Sequence, residues 1–429
     1  MTQLRLTAFA LRRLYLTCLP VAALPLAACN SDALSVGSND DALQQAACNG
    51  GVYSGSLYAD RQEQIDELSG CQVIDGDLRI SGSDEEPAEL SLAALRSLRL
   101  VRGSLTIEGV SSLDGLETLE QAGTLNLARL GVSDLGALRN LQRVIWDPPG
   151  GGDGGIINIS ECPALEDLGG LEHLTSWQSL KIGNCPALES LDGVVGPPRF
   201  AELRLYRLPA LREVSALNFA RIVDTVNIER TGIESLDGFG LAQAESLGIS
   251  ENPALTSLDG LSQLLRVTSL GITDNDALQR VNLPALERAQ IISITGNDSL
   301  TSVPRYSSTQ YLAIEFGPKL DFVNLNQRLF EVGNNARLTS VASPEGFSNV
   351  QQVAIWSNPA LEDLDLYPLE RADGLMIRKN PALSRLLAVS LERVAELEVV
   401  DNPALSTAAL SDVQTFHSTI SGNRDAPTP

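Results

Sequence analysis

Aliphatic residues alternate with small or polar ones in short runs that return along most of this chain. From about residue 52 one phrase recurs: SLGISENPALTSLDGL (246–261), SLGITDNDALQRV (269–281), VAIWSNPALEDL (353–364), LMIRKNPALSRL (375–386) and LEVVDNPALSTA (397–408). An L-x-I alternation predicts a half-buried strand, with leucine and isoleucine inward and the residues between them outward. Taking the second aliphatic residue of each run as a marker gives Ile80, Ile107, Leu127, Ile159, Ile182, Leu205, Ile228, Ile249, Ile272, Ile294, Ile314, Val332, Ile355, Ile377, Val399 and Ile420. Most steps are 20–23 residues, and such a period dictates the fold of the whole array. GSLYA (55–59) parallels GDLRI (76–80), GSLTI (103–107) and GTLNL (123–127), which adds an earlier, degenerate turn. The pattern predicts about sixteen or seventeen coils.

No single coil of this length encloses a core. The leucine three residues beyond each Asn, and another three further on, supply inward side chains that only stacking can cover. The expected fold is therefore an all-β-dominated solenoid, a parallel β-helix of about 16 leucine-rich coils. At an inter-strand spacing of about 4.8 Å it makes a rod about 70–75 Å long. Between Cys48 and Cys71 the segment RQEQIDELSG places Ile65 and Leu68 on one helical face, which predicts an N-terminal helical cap over the open end.

The NPALxxLxGL phrase, together with Cys71-Gln-Val-Ile-Asp-Gly-Asp-Leu-Arg-Ile80, resembles the receptor L-domain family over roughly residues 50–423. That resemblance implies a right-handed leucine-rich β-solenoid of the kind found in receptor ectodomains, fungal cell-wall proteins and bacterial surface proteins. The chain lacks the cysteine-rich modules that accompany the receptor domains, so their ligand-binding residues do not carry over. A leucine-rich-repeat horseshoe is the competing frame. Its L-x-x-L-x-L-x-x-N pattern is only partly met, and the added Pro-Ala-Leu favours the β-solenoid.

The N-terminus reads differently. Arg5, Arg12 and Arg13 precede a mostly apolar run, Leu14 to Ala28, that stops at Cys29. The run is short of the about 20 residues a membrane helix needs, so residues 1–28 are expected to be a removed export signal. Leu26-Ala27-Ala28-Cys29 resembles the lipobox of bacterial lipoproteins, which implies acylation at Cys29. Asn30 stands where inner-membrane retention commonly uses aspartate, which tilts the expected address to the outer membrane. Residues 29–47 are polar and aperiodic and read as a tether reaching about 20–25 Å. The repeat body is expected over 48–423, with 424–429 as a tail.

Without the three arginines of the signal, 28 basic groups face 54 acidic ones, a net charge of −26. Such a surface repels nucleic acid, which requires cationic contacts. The Asn column, Asn252, Asn275, Asn297, Asn335, Asn358, Asn380, Asn402 and Asn423, suits inward amides that satisfy turn backbone between coils. Asp114-Gly115, Asp192-Gly193, Asp237-Gly238 and Asp259-Gly260 lack the alternating oxygen ligands of calcium loops and read as turns. GGGDGG (150–155) lacks the Lys-Ser/Thr of a phosphate loop and reads as part of an insertion from Trp146 to Gly155. No cofactor or metal is expected.

Of the six cysteines, Cys18 would leave with the signal and Cys29 would take the lipid, so four remain, and export favours pairing them. Cys48 with Cys71 brackets the helical segment. Cys162 and Cys185 each stand three residues after their markers on adjacent coils, within the separation a disulfide tolerates. His173 and His417 are the only histidines and lie on distant coils.

The outward sheet positions are mostly small, such as Gly248, Ser250, Gly271, Thr273, Ser293 and Thr295. Two groups interrupt them: Lys181, Arg204 and Tyr206, and then Trp356, Met376 and Arg378. Aromatic residues and arginine are enriched at binding hot spots. The bland alternative for the second group is that Trp356 lies flat over Arg378 and merely covers the sheet. The sequence thus predicts a non-enzymatic, lipid-anchored recognition or structural module of the cell envelope, binding a protein or glycan through its exposed sheet face. The competing readings are a carbohydrate-active β-helix enzyme and a passive surface spacer.

Overall fold

The computed structural model describes residues 48–82, 90–146, 155–301, 303, 309–315, 322–324, 329–343 and 348–424. The expected signal, Cys29, the tether, residues 425–429 of the tail and 147–154 of the expected insertion lie outside the described residues.

The L-x-I runs form strands, and successive strands pair in parallel in constant register apart from one shift between Val101 and Ser104. Leu247, Leu270 and Ile292 stand in one file, and Ile249, Ile272 and Ile294 in the next. A slip of one residue would turn every isoleucine to solvent, which is why the register holds. Among the described residues these strands form a 20-stranded sheet, and a 4-stranded sheet of Phe322–Asn324, Ser340–Ala342, Asp363–Asp365 and Arg385–Leu387 runs along the return path. The result is a parallel β-solenoid of about 15 turns with little helix.

Some rungs are split in two. Val73–Ile74 and Leu78–Ser81 both pair with the continuous strand Leu100–Glu108. Glycine fills the bend between the halves because the coils touch there: a Cβ on Gly76 would lie 2.4 Å from the Gly55 carbonyl oxygen, and one on Gly103 would lie 2.8 Å from that of Gly76. The glycines opening GDLRI and GSLTI are thus backbone contacts, whereas Gly55 of GSLYA has open space and takes φ 104°. Arg143–Val144 and Ile156–Ser160 flank the expected insertion, and both add to the strand Gln121–Ala128.

On the return path buried side chains recur every third residue, as in Asn252, Leu255, Leu258, Leu261, Leu264 and Val267. That spacing fits the three residues per turn of the short 3₁₀ segments there, Asp259–Leu261 among them. Where each strand turns into this path, the residue two past the marker is left-handed. Arg129, Glu161, Asn184, Arg207, Arg230, Glu251, Asp274, Asn334, Ser357, Lys379 and Asp401 have φ between 53° and 59°. Gly115, Gly193 and Gly238 of the Asp-Gly pairs also take positive φ, in keeping with turns.

The α-helix Gln62–Asp66 is five residues long and is not a cap. It follows the strands Val52–Tyr53 and Leu57–Ala59 and sits in the wall of the first coil, where the next coil places the 3₁₀ turn Ala93–Leu95. Gln62 binds that next coil twice, through Ser91 O at 3.1 Å and Ser91 N–H at 2.8 Å. Ile65 and Leu68 are buried as expected. Two apolar positions, however, specify only one helical turn, too little for an independent helix lying across the end. The expected disulfide Cys48–Cys71 is formed, with a Cα–Cα distance of 5.5 Å, and ties this coil closed.

At the other end, the strand Gln414–Ser421 keeps register with Arg393–Val400. Its inward files carry Thr415 and Ser418 where the preceding rung has buried Val394 and Leu397.

Candidate binding face

One inward file is structural, filled by asparagines in later coils and cysteines in earlier ones. Asn275 Nδ2 donates to Ile249 O at 3.0 Å, to Thr273 O at 3.1 Å and to Asn297 Oδ1 at 3.2 Å. Its own Oδ1 accepts from the backbone N–H and the Nδ2 of Asn252, both at 3.1 Å. The same bonds repeat from Asn335 to Asn423. These buried amides satisfy turn backbone and offer nothing to a ligand.

Cys162 and Cys185 occupy that file in earlier coils, since Ile159 opposes Ile182. The expected disulfide is not formed: both are buried free thiols. Each Sγ donates to a carbonyl of its own coil, Cys162 to Ser160 and Cys185 to Gly183, both at 3.3 Å. Adjacent rungs satisfy the Cα spacing of a bridge, but the thiols are directed as the asparagine amides are, along the turn. A hydrogen bond to Cys185 and then burial push the Cys162 thiol far up. Cys185 is lowered by the same contact.

The outward face is where side chains are free to differ. Lys181, Arg204 and Asn227 stand in one file on successive strands, continued on the other side by Asn158. Lys181 Nζ is 2.7 Å from Glu202 Oε2. Tyr206 lies over Gly183 of the preceding rung, so that a Cβ there would fall 2.0 Å from the ring. The Arg204 guanidinium carbon sits over the same ring, 5.0 Å from its centroid. Burial pushes the Tyr206 phenol up, so it stays protonated and can donate.

The second group repeats the ring on glycine but not the arginine over the ring. Trp356 lies over Gly333 of the preceding rung, where a Cβ would fall 2.2 Å from the indole, and not over Arg378. Arg378 opposes Trp356 on the following strand and is hydrogen-bonded through Nη2 to Glu398. Met376 stands between Ala354 and Glu398 in the adjacent file. The Nε atoms of both Arg204 and Arg378 are buried without a hydrogen-bond partner.

Three side chains on this face carried no sequence signal of their own. Tyr58, 52% exposed, lies under the Arg79 guanidinium at 5.5 Å, at the start of the file that leads through Thr106 and Asn126 to Lys181. Asn158 and Asn227 have no side-chain hydrogen bond among the described residues. Their outward position was readable from the alternation, but the absence of a partner was not.

This geometry defines a leucine-rich parallel β-solenoid with an open, decorated sheet face. Residues 70–128 match the family model described as Receptor L domain. The match covers the rungs that begin at Cys71, a narrower stretch than the repeat pattern itself. The fold is similar to the pneumococcal vaccine antigen PcpA, at 11% identity over 85% of this chain and 82% of that one, with a TM-score of 0.29. A leucine-rich repeat protein of Leptospira interrogans is similar at 15% identity over 83% of this chain and 92% of that one, TM-score 0.29. The mouse RP105/MD-1 complex is similar at 14% identity over 83% and 68%, TM-score 0.26. A comparison with curated proteins gives no match. Among the described residues no helix is long and apolar enough to cross a membrane.

Proposed function

We propose that this protein is a non-enzymatic, lipid-anchored recognition module of the cell envelope that holds a protein or glycan partner on the outer face of its main sheet. One observation carries the reading. The outward face builds upward at two places where an aromatic ring is laid on a glycine of the preceding rung, Tyr206 on Gly183 and Trp356 on Gly333, with an arginine over the first ring and one on the strand following the second. Rings fixed in this way expose apolar area at little entropic cost, the property that makes aromatic and arginine residues hot spots. The Receptor L domain match supports a ligand-binding role. The sequence Leu26-Ala27-Ala28-Cys29 supports the anchor, with the outer membrane as the expected address.

The test is crosslinking on intact cells with wild type and the Trp356→Ala/Arg378→Ala double variant. Loss of a specific crosslinked partner with an unchanged thermal melt supports recognition through this patch, and an unchanged partner set eliminates it. Cys29→Ala separates the anchor from the binding. It is expected to abolish labelling by a fatty-acid analogue and to release the protein or leave an uncleaved precursor, whereas normal labelling rules out lipidation at this residue.

A further inference from the structure

Arg204 is the arginine of these outward assemblies that lacks an acid. Arg79 has Glu108 at 3.1 Å and Arg378 has Glu398. Of the surrounding carboxylates, Glu202 is held by Lys181 at 2.7 Å and Glu229 by Arg230 at 3.1 Å, while Glu161 is felt at Tyr206 and forms no ion pair with Arg204. Among the described residues no carboxylate pairs with Arg204, and its Nε is buried and unbonded. A half-buried guanidinium without a counter-ion is locally complementary to an anionic group brought from outside, against the repulsion of a chain of negative net charge.

The surroundings narrow the chemistry of that group. Asn158, Lys181, Arg204 and Asn227 occupy one file of four consecutive strands, so an unpartnered amide flanks the cationic pair on each side. At about 4.8 Å per strand the file spans about 14 Å. Each amide offers both a donor and an acceptor, which suits hydroxyl groups. The strand backbones here are already paired on both sides, so a peptide cannot bind by adding a strand. Tyr206, wedged between Gly183 and Arg204, acts as a positioning residue that limits the rotamer freedom the arginine would lose on binding.

We infer that Arg204, Lys181, Asn158 and Asn227, held by Tyr206, form a binding site for a chain of uronic acid sugars, with Arg204 taking a ring carboxylate and the two amides taking hydroxyls of neighbouring rings. The inference rests on the reading of the outer face as a recognition surface and names a ligand class for its first assembly.

Calorimetry of the mature protein with an oligogalacturonate, its carboxyl-reduced form and a glutamate oligopeptide tests it. Saturable binding of the oligogalacturonate alone is expected. Arg204→Gln should weaken it by about tenfold or more, the size of a lost charge-assisted contact. Tyr206→Phe should retain binding, and Asn158→Ala/Asn227→Ala should weaken it without altering the thermal melt. No saturable binding by wild type, unchanged affinity in Arg204→Gln, or equal binding of the glutamate peptide overturns the uronate site. A crosslinked partner that still depends on Trp356 in that event leaves the wider recognition reading standing.

Discussion

The Thr231 hydroxyl donates to Asn252 Oδ1 at 2.7 Å, and the Thr231 backbone N–H reaches the same oxygen at 3.0 Å. Threonine thereby starts the buried amide ladder in a file whose earlier members are Leu208 and Cys185. Asn275→Leu, in the interior of the ladder, would strand the Asn252 backbone N–H and leave Asn252 Nδ2 only its bond to Ile228 O. It is expected to cost about 2–4 kcal/mol, and Thr231→Val about 1 kcal/mol. Urea unfolding checks both, and equal, small losses would mean that water replaces the amide.

Ile272 and Thr273 are neighbours on opposite faces of one strand, Ile272 fully buried and Thr273 outward. Ile272→Asp places an unpaired charge between two coils and is expected to prevent cooperative folding. Thr273→Asp should leave the melt nearly unchanged. Circular dichroism melts of the two variants distinguish the faces.

Gly333 and Gly271 are both outward strand glycines with different surroundings. A Cβ on Gly333 meets the Trp356 indole, whereas one on Gly271 meets nothing within 4 Å. Gly333→Ala should displace the indole and red-shift the Trp356 contribution to fluorescence, taken as the difference from matched Trp356→Phe proteins. Gly271→Ala should leave the spectrum unchanged and hold or slightly raise stability.

Thiol counting separates the cysteine pairs. The denatured, unreduced mature domain should release two alkylatable thiols, at Cys162 and Cys185, with Cys48 and Cys71 found only as one disulfide-linked peptide. Before denaturation the buried pair should resist alkylation. A Cys162–Cys185 linked peptide would contradict the free-thiol arrangement.

Asp274 titrates above the ordinary aspartate range, because burial and then Glu251, Asp276 and Asp298 disfavour its charge. The folded state therefore holds this proton to higher pH than the unfolded chain, so stability falls as pH rises from the unfolded value through the folded one. Asp274→Asn is expected to raise the melting temperature at neutral pH. The gain over wild type should shrink as pH falls back through that window. A gain that is constant with pH would assign the effect to the left-handed backbone, which Asn also favours.

The files of Ile249, Ile272 and Ile294 and the buried asparagines were legible because alternation and period are properties of composition along the chain. The direction in which an outward side chain leans is not such a property. Nothing in the sequence says that Trp356 turns back onto Gly333 when Arg378 stands on the following strand. That the glycine and the aromatic occupy the same file on neighbouring rungs becomes visible only once register is known. The cysteines show the same limit: Ile159 opposite Ile182 brought Cys162 and Cys185 together, but carbonyls of their own coils decide where the sulfurs point. Gln62–Asp66 was readable as helical and GSLYA as an earlier coil, whereas the helix's place in the coil wall also depended on Val52–Tyr53, a run too short to read as a strand.

Thr415 and Ser418 bear on how this protein behaves in a crowd of its own copies. A stacked sheet ending in bare valine and leucine files is a seed: another molecule could dock its own first rung there and the stack would grow as a fibre. Hydroxyl side chains in those two files keep that end of the stack from offering a dry apolar rung, so that copies meeting end to end would not add rung to rung.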